Sequence, residues 1–305
     1  MSQGKEPFIG IIMVNYNGLT DTVECIDSIR QMSYKNFKII VVDNKSTDDS
    51  VKRLREKKME ADFELIECES NLGFSAGNNA GIQYALDLGV EYLLLINNDT
   101  LTDTEFLKNL MDKTTQLPKN SVTTGTIYYS ENRKMIWYGG GGFNKRTAKV
   151  SHFGFGSQMF RLPPDPIEVS FISGCCMCIP SAIIEKVGLL DENYFLYEED
   201  VDYCYRLQNN GVKLFYIPDA VLYHKVSSST GKTNQMSATT QYYMVRNKFF
   251  FINRYYSGIG RIKPYCYSIA MYCYYCIRYG MSFRYVVMGI RDFLCGKMKK
   301  TDRKL

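Results

Sequence analysis

Short apolar runs alternate with helical patterns through the first hundred residues. Four of these runs lack the polar alternation of a half-exposed strand, and they occupy residues 8–14, 37–42, 63–66 and 93–96. Such runs are typical of strands that are buried on both faces of a parallel sheet. The segments between them have helical periodicity, and Asp21 is predicted to cap the first helix. This repetition predicts an α/β fold with a doubly wound, mostly parallel central sheet.

The second half of the chain changes character. Runs of β-type residues at 122–129, 169–179 and 212–217 predict strands that add an antiparallel portion to the sheet. Four consecutive glycines at 139–142 and the proline-rich stretch 161–166 predict loops. No linker in the sequence is long enough to mark a separate domain, so we expect these strands to extend the same sheet.

Three of the four predicted strands run into polar side chains, namely Asn15, Asp43 and Asp99. Because the carboxyl ends of parallel strands share one edge, these side chains should converge where open α/β sheets bind ligands. Asp43 could accept a hydrogen bond from a base imide or a ribose hydroxyl. Asn71 and Gly73 offer backbone N–H groups at a helix start, although turn geometry alone also explains the glycine. The sequence lacks a G-x-G-x-x-G motif after the first strand and a P-loop motif, which argues against both of those phosphate sites.

Asp99 is a candidate metal ligand. Mg²⁺ and Mn²⁺ prefer oxygen donors, and they often take one or two carboxylates together with phosphate oxygens. A single carboxylate therefore fits a metal ion whose coordination a diphosphate completes. His224 is one of two histidines in the chain and ends a strand-like run. It is either a structural residue or a further ligand.

Four carboxylates occupy five successive positions, at Glu198, Glu199, Asp200 and Asp202. Repulsion between close carboxylates raises the pKa of at least one of them, which is how a general base is tuned towards neutrality. The alternative is an exposed acidic first turn of a helix, which the helix dipole favours.

The net charge of +5 hides an asymmetry. Residues 261–305 hold ten Lys and Arg against two Asp, which gives +8 there and −3 for residues 1–260. The uncharged stretch 264–277 has 14 residues, fewer than the roughly 20 needed to span a bilayer. Aromatic and apolar residues between basic ones favour peripheral contact with a membrane of anionic lipid, and a helical layer packed on the domain or in a homodimer is the alternative. Nucleic acid is not an expected partner, because the basic excess is confined to this tail.

The amino-terminal residues predict a cytoplasmic protein. The first six residues are polar and the apolar run that follows is too short for a signal peptide, so we expect none. Ten cysteines with irregular spacing favour buried thiols over a disulfide framework or a zinc site.

Taken in order, the motifs resemble those of inverting family-2 glycosyltransferases of the GT-A fold, in a pattern similar to the bacterial rhamnosyltransferase-like branch. The resemblance covers about residues 8–250. The matching segments are VNYN at 14–17, VDNKS at 42–46, NLGFSAGNN at 71–79, NND at 97–99, GLLDENYFLYEEDVD at 188–202, PDAVLYH at 218–224 and YYMVRN at 242–247.

This resemblance implies a role for each matched site residue. It makes Asp200 the catalytic base, with Glu199 beside it, and makes Asp99 and His224 ligands of Mg²⁺ or Mn²⁺. Arg246 would neutralise diphosphate charge. Asn97 stands where the family motif often has Asp, which lowers the charge beside the metal. The implied donor-binding residues are Asn15, Asp43, Asn44, Asn71, Gly73, Asn78, Asn97, Asn98 and Arg246.

The resemblance also implies the reaction and its substrates. A sugar such as rhamnose would pass from a UDP- or dTDP-linked donor to a hydroxyl of a saccharide or lipid-linked saccharide, in the synthesis of cell-surface polysaccharide. Residues 1–258 would form the catalytic domain, with a nucleotide-sugar half up to about residue 120, and 259–305 a helical tail. A peripheral position on the inner face of the cell membrane would follow. The alternatives are a nucleotidyltransferase, which would need a basic glycine-rich loop after the first strand, and a non-catalytic sugar-nucleotide-binding protein.

Overall fold

The computed structural model describes residues 6–226 and 236–303 of the chain. The residues of the predicted domain and tail at 1–5, 227–235 and 304–305 lie outside the described ranges. The four predicted strands of the first half are present as β1 (Ile9–Asn15), β2 (Phe37–Asp43), β3 (Phe63–Glu67) and β4 (Tyr92–Ile96). They pair in parallel in the order β3-β2-β1-β4, and the helices between them are α1 (Leu19–Arg30), α2 (Ser50–Lys58) and α3 (Gly73–Asp87).

Helix α1 begins earlier than the sequence predicts. Its first residue is Leu19, with Gly18 before it, so the prediction that Asp21 caps the helix is wrong. Asp21 lies in the first turn, where its carboxylate accepts a hydrogen bond from Lys225 Nζ over 2.8 Å. A partner about two hundred residues away in the chain leaves no local sequence signal, and this explains the error.

The second half adds strands on the β4 side of the sheet. The elements after β4 are β5 (Thr100–Thr102), α4 (Phe106–Thr114), β6 (Ser121–Tyr129), β7 (Ile136–Tyr138), β8 (Gly141–Asn144), β9 (Lys149–His152), β10 (Ile167–Val169), β11 (Cys176–Pro180), α5 (Ser181–Val187), α6 (Glu199–Asn209) and β12 (Lys213–His224). Among the described residues, the main sheet runs β10-β12-β6-β11-β4-β1-β2-β3, with β5 on β12 and β7 on β6. The predicted antiparallel portion is confirmed for β11, β10 and β5, whereas β6 and β12 pair in parallel.

Two details of the added strands differ from the sequence prediction. The predicted strand 169–179 is divided into β10 and β11, and the predicted strand 212–217 continues to His224 as a single strand. The pairing of β12 with β6 shifts register between Ile217 and Val221, around Pro218, which has no N–H to donate to the ladder. Because β12 is parallel to β6, and both β6 and β4 are antiparallel to β11, β12 ends at the same sheet edge as β1, β2 and β4.

The carboxyl-terminal part of the structure is helical, as predicted. Helix α7 (Ala238–Tyr255) is followed by a short 3₁₀ turn (Gly258–Arg261), α8 (Ile262–Tyr279) and α9 (Phe283–Leu294). Residues of α7, α8 and α9 form a second small apolar core, beside the main core of the sheet. None of the described helices combines the length and the apolar character that crossing a membrane requires.

Candidate active site

Asn15 and Asp43 meet at the ends of β1 and β2, where the parallel register places them side by side. Asn15 Nδ2 donates to Asp43 Oδ2 over 2.8 Å, and both side chains are buried. The Asp43 carboxylate also accepts from the Ser46 hydroxyl over 2.6 Å and from the Ser46 N–H over 2.9 Å. The structure therefore brings this predicted pair together and adds Ser46, whose only sequence signal was its place at the end of the VDNKS segment.

A chain of hydrogen bonds links Asn15 to Asn98. Thr22 Oγ1 donates to Asn15 Oδ1 over 2.8 Å and accepts from Asn98 Nδ2 over 2.8 Å. Thr22 lies on the buried face of α1, so the end of β1 and the segment after β4 are joined through a helix. Sequence reasoning missed Thr22, because a threonine on a helix face does not differ in sequence from a packing residue.

The turn at the start of α3 gathers three predicted donor-binding residues. Asn44 Nδ2 donates to the Gly73 carbonyl over 2.9 Å, and Asn71 Oδ1 accepts from the Gly73 N–H over 3.0 Å. Gly73 has a φ of +84°, and a Cβ there would lie 2.3 Å from the Phe195 carbonyl oxygen. Only glycine fits this turn, which brings α3 against the segment before α6. Asn78 is placed differently, since its side chain donates to a carbonyl of its own helix over 2.9 Å.

Asp99 and His224 lie against each other at the sheet edge. Antiparallel pairing of β5 with β12 places His224 opposite Thr100, and the Lys225 N–H donates to the Asp99 carbonyl over 2.9 Å. His224 Nε2 lies 3.0 Å from Asp99 Oδ1, and the two side chains are 7% and 6% exposed. Despite this contact, neither ring nitrogen of His224 makes an aligned hydrogen bond within the described part of the chain. The pair thus presents a carboxylate and an imidazole to a common point.

These side chains fit a divalent cation. Asn97 Oδ1 is also buried, without a hydrogen-bond partner among residues 6–226 and 236–303. In those same ranges no group of three or more His, Cys, Asp or Glu side chains could hold a metal ion by itself. Asp99 and His224 would therefore hold Mg²⁺ or Mn²⁺ jointly with oxygens of a diphosphate, the arrangement in which protein ligands are few.

Asp200 and Glu199 begin α6. Burial raises the pKa of Asp200 to about 6, against the opposing effect of the Gly174 N–H, which donates to Asp200 Oδ2 over 3.0 Å. Burial, and then repulsion from Asp200, hold the pKa of Glu199 well above its usual range. Glu199 is 6% exposed, and its Oε2 has no hydrogen-bond partner among the described residues. A carboxyl group that titrates near neutrality is suited to general base catalysis.

The other two acids of the cluster are held by cations. Asp202 is fully buried and binds Arg206 Nε over 2.7 Å, so its role is to anchor α6. Glu198 Oε2 lies 2.6 Å from Lys248 Nζ, which lowers a pKa that burial raises. The acidic cluster is therefore more than an exposed first turn: Glu198 and Asp202 pair with cations, whereas Glu199 and Asp200 make no ion pair within the described part of the chain.

Two successive residues before Asp200 have left-handed backbone. Tyr197 and Glu198 have φ of +68° and +71°, and such conformations cost about 1–3 kcal/mol each for residues other than glycine. Asn247 on α7 holds this segment, because its Nδ2 donates to the carbonyls of Leu196 and Tyr197 over 2.8 and 2.9 Å. Asn247 was not predicted as a site residue, although it closes the YYMVRN segment.

Arg246 packs between α7 and the carboxyl-terminal segment. Its side chain is fully buried, its Nη1 donates to the Lys299 carbonyl over 2.7 Å, and its Nε donates to Asn247 Oδ1 over 3.0 Å. The guanidinium also stacks on Tyr243, with 4.7 Å to the ring centroid. The described partners of Arg246 therefore belong to α7 and the carboxyl-terminal segment, while its Nη2 has no hydrogen-bond partner among the described residues, and its role in binding a diphosphate stays a prediction.

The segment before β11 joins the metal-ligand pair to the predicted base. The Asn97 N–H donates to the Cys175 carbonyl over 3.0 Å, and the neighbouring Gly174 N–H donates to Asp200. Gly174 thus contacts the carboxylate of Asp200, and the next residue, Cys175, contacts the motif that contains Asp99. Candidate ligands for a diphosphate and a candidate base consequently lie at one edge of the sheet.

Residues 10–188 match the model of the family described as glycosyl transferase family 2. The chain belongs to this family. Its relatives include the low-salt glycan biosynthesis hexosyltransferase Agl10 of Haloferax volcanii, 26% identical over 97% of this chain and 92% of that protein. The dTDP-rhamnosyl transferase RfbF of Shigella flexneri is 26% identical over 80% of this chain and 79% of its own length. These relatives place the chain in the rhamnosyltransferase-like branch, so the predicted resemblance is confirmed and the protein is a glycosyltransferase.

Solved structures confirm the GT-A fold. GalNAc-T7, crystallised with UDP, GalNAc and Mn²⁺, superposes with a TM-score of 0.64 at 14% identity, over 91% of this chain and 59% of that one. The mannosyltransferase PcManGT of Pyrobaculum calidifontis, in complex with GDP-Man and Mn²⁺, gives a TM-score of 0.56 at 14% identity, over 99% and 77% of the two chains. At this identity the likeness concerns the fold alone.

Proposed function

We propose that this glycosyltransferase moves a hexose, in the first instance rhamnose, from a nucleoside diphosphate to an acceptor hydroxyl with inversion at the anomeric carbon. The observation that supports this most is the join made by Gly174 and Cys175 between Asp200 and the segment that contains Asp99. With Asp99 holding a leaving diphosphate through a metal ion, this join would bring the Asp200 carboxylate to the same end of the site. That arrangement is what displacement at the anomeric carbon requires.

The donor would lie along the sheet edge from β2 towards β12. Its nucleoside, uridine or thymidine, would occupy the Asp43 and Asn44 end, where side chains are already fixed by internal hydrogen bonds. Its diphosphate would lie at Asp99 and His224. Mg²⁺ or Mn²⁺ held there would stabilise the negative charge that develops on the leaving diphosphate. The dTDP-rhamnosyl transferase RfbF is named for a nucleoside diphosphate sugar, and the two structures of similar fold contain UDP or GDP-Man together with Mn²⁺, which supports a nucleoside diphosphate donor and a divalent metal here.

Asp200 would act as the general base. Its carboxylate takes the proton of the acceptor hydroxyl while that oxygen forms a bond to the anomeric carbon. On the opposite face the bond from this carbon to the diphosphate oxygen breaks, and the electron pair leaves with the diphosphate. Glu199 would lie beside this carboxylate, and burial, which raises its pKa, favours the protonated form of its side chain.

The acceptor would approach from the side of the sheet opposite the nucleoside. There a group of aromatic rings extends outward from His224: the Trp137 ring lies 4.6 Å from it, and Tyr129 and Phe155 lie further along. Flat rings of this kind suit the C–H faces of a saccharide, free or lipid-linked. A role in cell-surface polysaccharide synthesis, in the cytoplasm at the inner face of the membrane, is proposed from the same resemblance.

The proposal is tested by donor selection and turnover. A thermal-shift screen of UDP-, dTDP- and GDP-sugars with Mn²⁺ should show stabilisation by one nucleotide class. Release of that nucleoside diphosphate should then rise when saccharide acceptors are added. Stabilisation without any release of nucleoside diphosphate, across donors, metals and acceptors, would instead indicate a binding protein that does not catalyse transfer.

A further inference from the structure

Helix α8 carries an apolar stripe that is exposed in the described structure. Ile262, Ile269 and Ile277 are 59%, 46% and 81% exposed, and their spacing places them on one face together with the exposed Cys266. A neighbouring face is packed, because Tyr272 is buried and its hydroxyl donates to a carbonyl of α7 over 3.0 Å. The stripe is thus the outer face of a helix whose inner face is packed.

Helix α9 has the same division. Phe283, Val287 and Leu294 are 54%, 63% and 74% exposed along one face. On the other face Gly289 packs so closely on α7 that a Cβ would lie 3.0 Å from a backbone oxygen of that helix. Asp292 is also buried there, where it accepts from a tyrosine hydroxyl of α7 over 2.9 Å. Both helices are therefore firmly docked on α7, and each presents apolar side chains outward.

The charges around these stripes all have one sign. No Asp or Glu occurs between residues 259 and 291, whereas Lys263, Arg278, Arg284 and Arg291 are exposed. The one acid of α9, Asp292, is buried and lies 3.0 Å from Arg303 Nη2. A shallow groove on α9 combines three of the arginines with the apolar stripe, and its lining includes Phe283, Val287, Arg284, Arg291 and Arg303. Such a surface is complementary to anionic groups that lie next to hydrocarbon.

We propose that the outer faces of α8 and α9 bind the surface of an anionic lipid bilayer, with both helices in the plane of the interface. Helix α8 has 18 residues and is about 27 Å long, and no described helix is apolar enough to cross a membrane. A helix with an apolar stripe and basic flanks lies in the interface instead. A second copy of the chain fits this surface less well, because pairing two such faces would bring like charges together. Among the described residues of the tail, Asp302 is the exposed acid that could offset them.

Lipid binding by this surface does not depend on the transferase reaction, so it can be tested without donor or acceptor. The full chain is mixed with vesicles of phosphatidylcholine alone or with 30% phosphatidylglycerol, and the bound fraction is measured by flotation. We expect binding to the anionic vesicles at least tenfold stronger than to the neutral ones, and weaker binding at 0.5 M salt. Equal binding to both vesicle types, or no binding to either, would overturn the proposal.

Matched variants separate the stripe from general hydrophobicity and charge. Ile277→Ser with Val287→Ser should weaken binding at least tenfold, whereas Met59→Ser with Met159→Ser removes two apolar side chains that are 91% and 93% exposed and should change nothing. Equal binding by both double variants would overturn the proposal, provided that thermal unfolding shows both to be folded.

Charge is tested in the same way. Arg284→Gln with Arg291→Gln should lower anionic binding, whereas Lys52→Gln with Lys119→Gln, two exposed lysines outside the tail, should not. The oligomeric state is measured by light scattering on the same samples. A dimer that Val287→Ser dissociates, together with no vesicle binding by the wild type, would assign the face to a second copy and overturn the lipid proposal.

Discussion

His224 Nε2 lies 3.0 Å from Asp99 Oδ1, and this contact joins the last residue of β12 to the segment after β4. The two residues are 125 positions apart in the chain, and the antiparallel pair of β5 with β12 is what brings them together. Both are buried, at the edge of the sheet where ligands bind in α/β folds. The pair is the structural basis for the proposed metal site.

Manganese binding at this pair should quench the fluorescence of Trp137. This is the single tryptophan of the chain, and its ring lies 4.6 Å from that of His224. Paramagnetic Mn²⁺ quenches a nearby excited ring, whereas Mg²⁺ does not. We therefore expect Mn²⁺ with UDP or dTDP to quench the emission, and Mg²⁺ to restore it by competition.

Two variants check that the quenching reports this site. His224→Ala and Asp99→Ala should each raise the Mn²⁺ concentration needed for half-quenching at least tenfold. Glu24→Ala, which removes an acid near the protein surface that pairs with Lys225, is the control and should leave it unchanged. Unaltered quenching in both ligand variants would place the metal elsewhere.

Gly73→Ala should destabilise the fold strongly. At a φ of +84° any other residue costs about 1–2 kcal/mol, and the new Cβ would also meet the Phe195 carbonyl oxygen at 2.3 Å. Gly89→Ala is a matched control, because its φ is +74° and nothing lies within 4 Å of the added Cβ. The free energy of unfolding from urea titration should fall by about 1–3 kcal/mol more in the first variant than in the second. Equal losses would show that the contact with Phe195 is not close.

Asn247→Ala should impair catalysis by releasing the segment before the base. The change leaves the carbonyls of Leu196 and Tyr197 without their donor, at about 1–3 kcal/mol for each buried group that finds no other partner. We expect kcat to fall at least tenfold with little change in donor affinity. Asn253→Ala, on an exposed face of the same helix, should have no effect. A variant of Asn247 that loses stability but keeps wild-type kcat would limit this residue to a structural role.

The sequence alone predicted the parallel half of the sheet and the ends of its strands. Buried strands produce unbroken apolar runs, and the polar residues that follow them, such as Asn15 and Asp43, mark the ligand edge. The sequence alone could not predict contacts between residues that lie far apart in the chain. The contact of Gly73 with Phe195 and the burial of Arg246 under the carboxyl-terminal segment both join parts of the chain whose local patterns are independent. The motif predicts a diphosphate ligand at Arg246, and no local pattern indicates the hydrogen bond that this side chain also donates to the Lys299 carbonyl.

The pH dependence of transfer should follow the titration of Asp200. Its pKa, raised to about 6 by burial, means that the carboxyl group is protonated and inactive as a base below that pH. Since the base must be ionised, kcat/KM should be constant above about pH 7 and should fall tenfold per unit as the pH decreases below about 6. Initial rates in overlapping buffers from pH 5 to 8 measure this. A profile that stays flat to pH 5 would contradict the assignment.

The most direct test of the central claim is the rate of transfer by Asp200→Asn. The amide keeps the shape of the side chain but cannot accept the proton of the acceptor hydroxyl. With the sugar nucleotide that most stabilises the wild type, we predict donor affinity within about threefold of wild type by titration calorimetry and a transfer rate reduced at least about a thousandfold. Asp302→Asn, an exposed acid of the tail, should transfer normally. Wild-type transfer by the Asp200 variant would contradict the account.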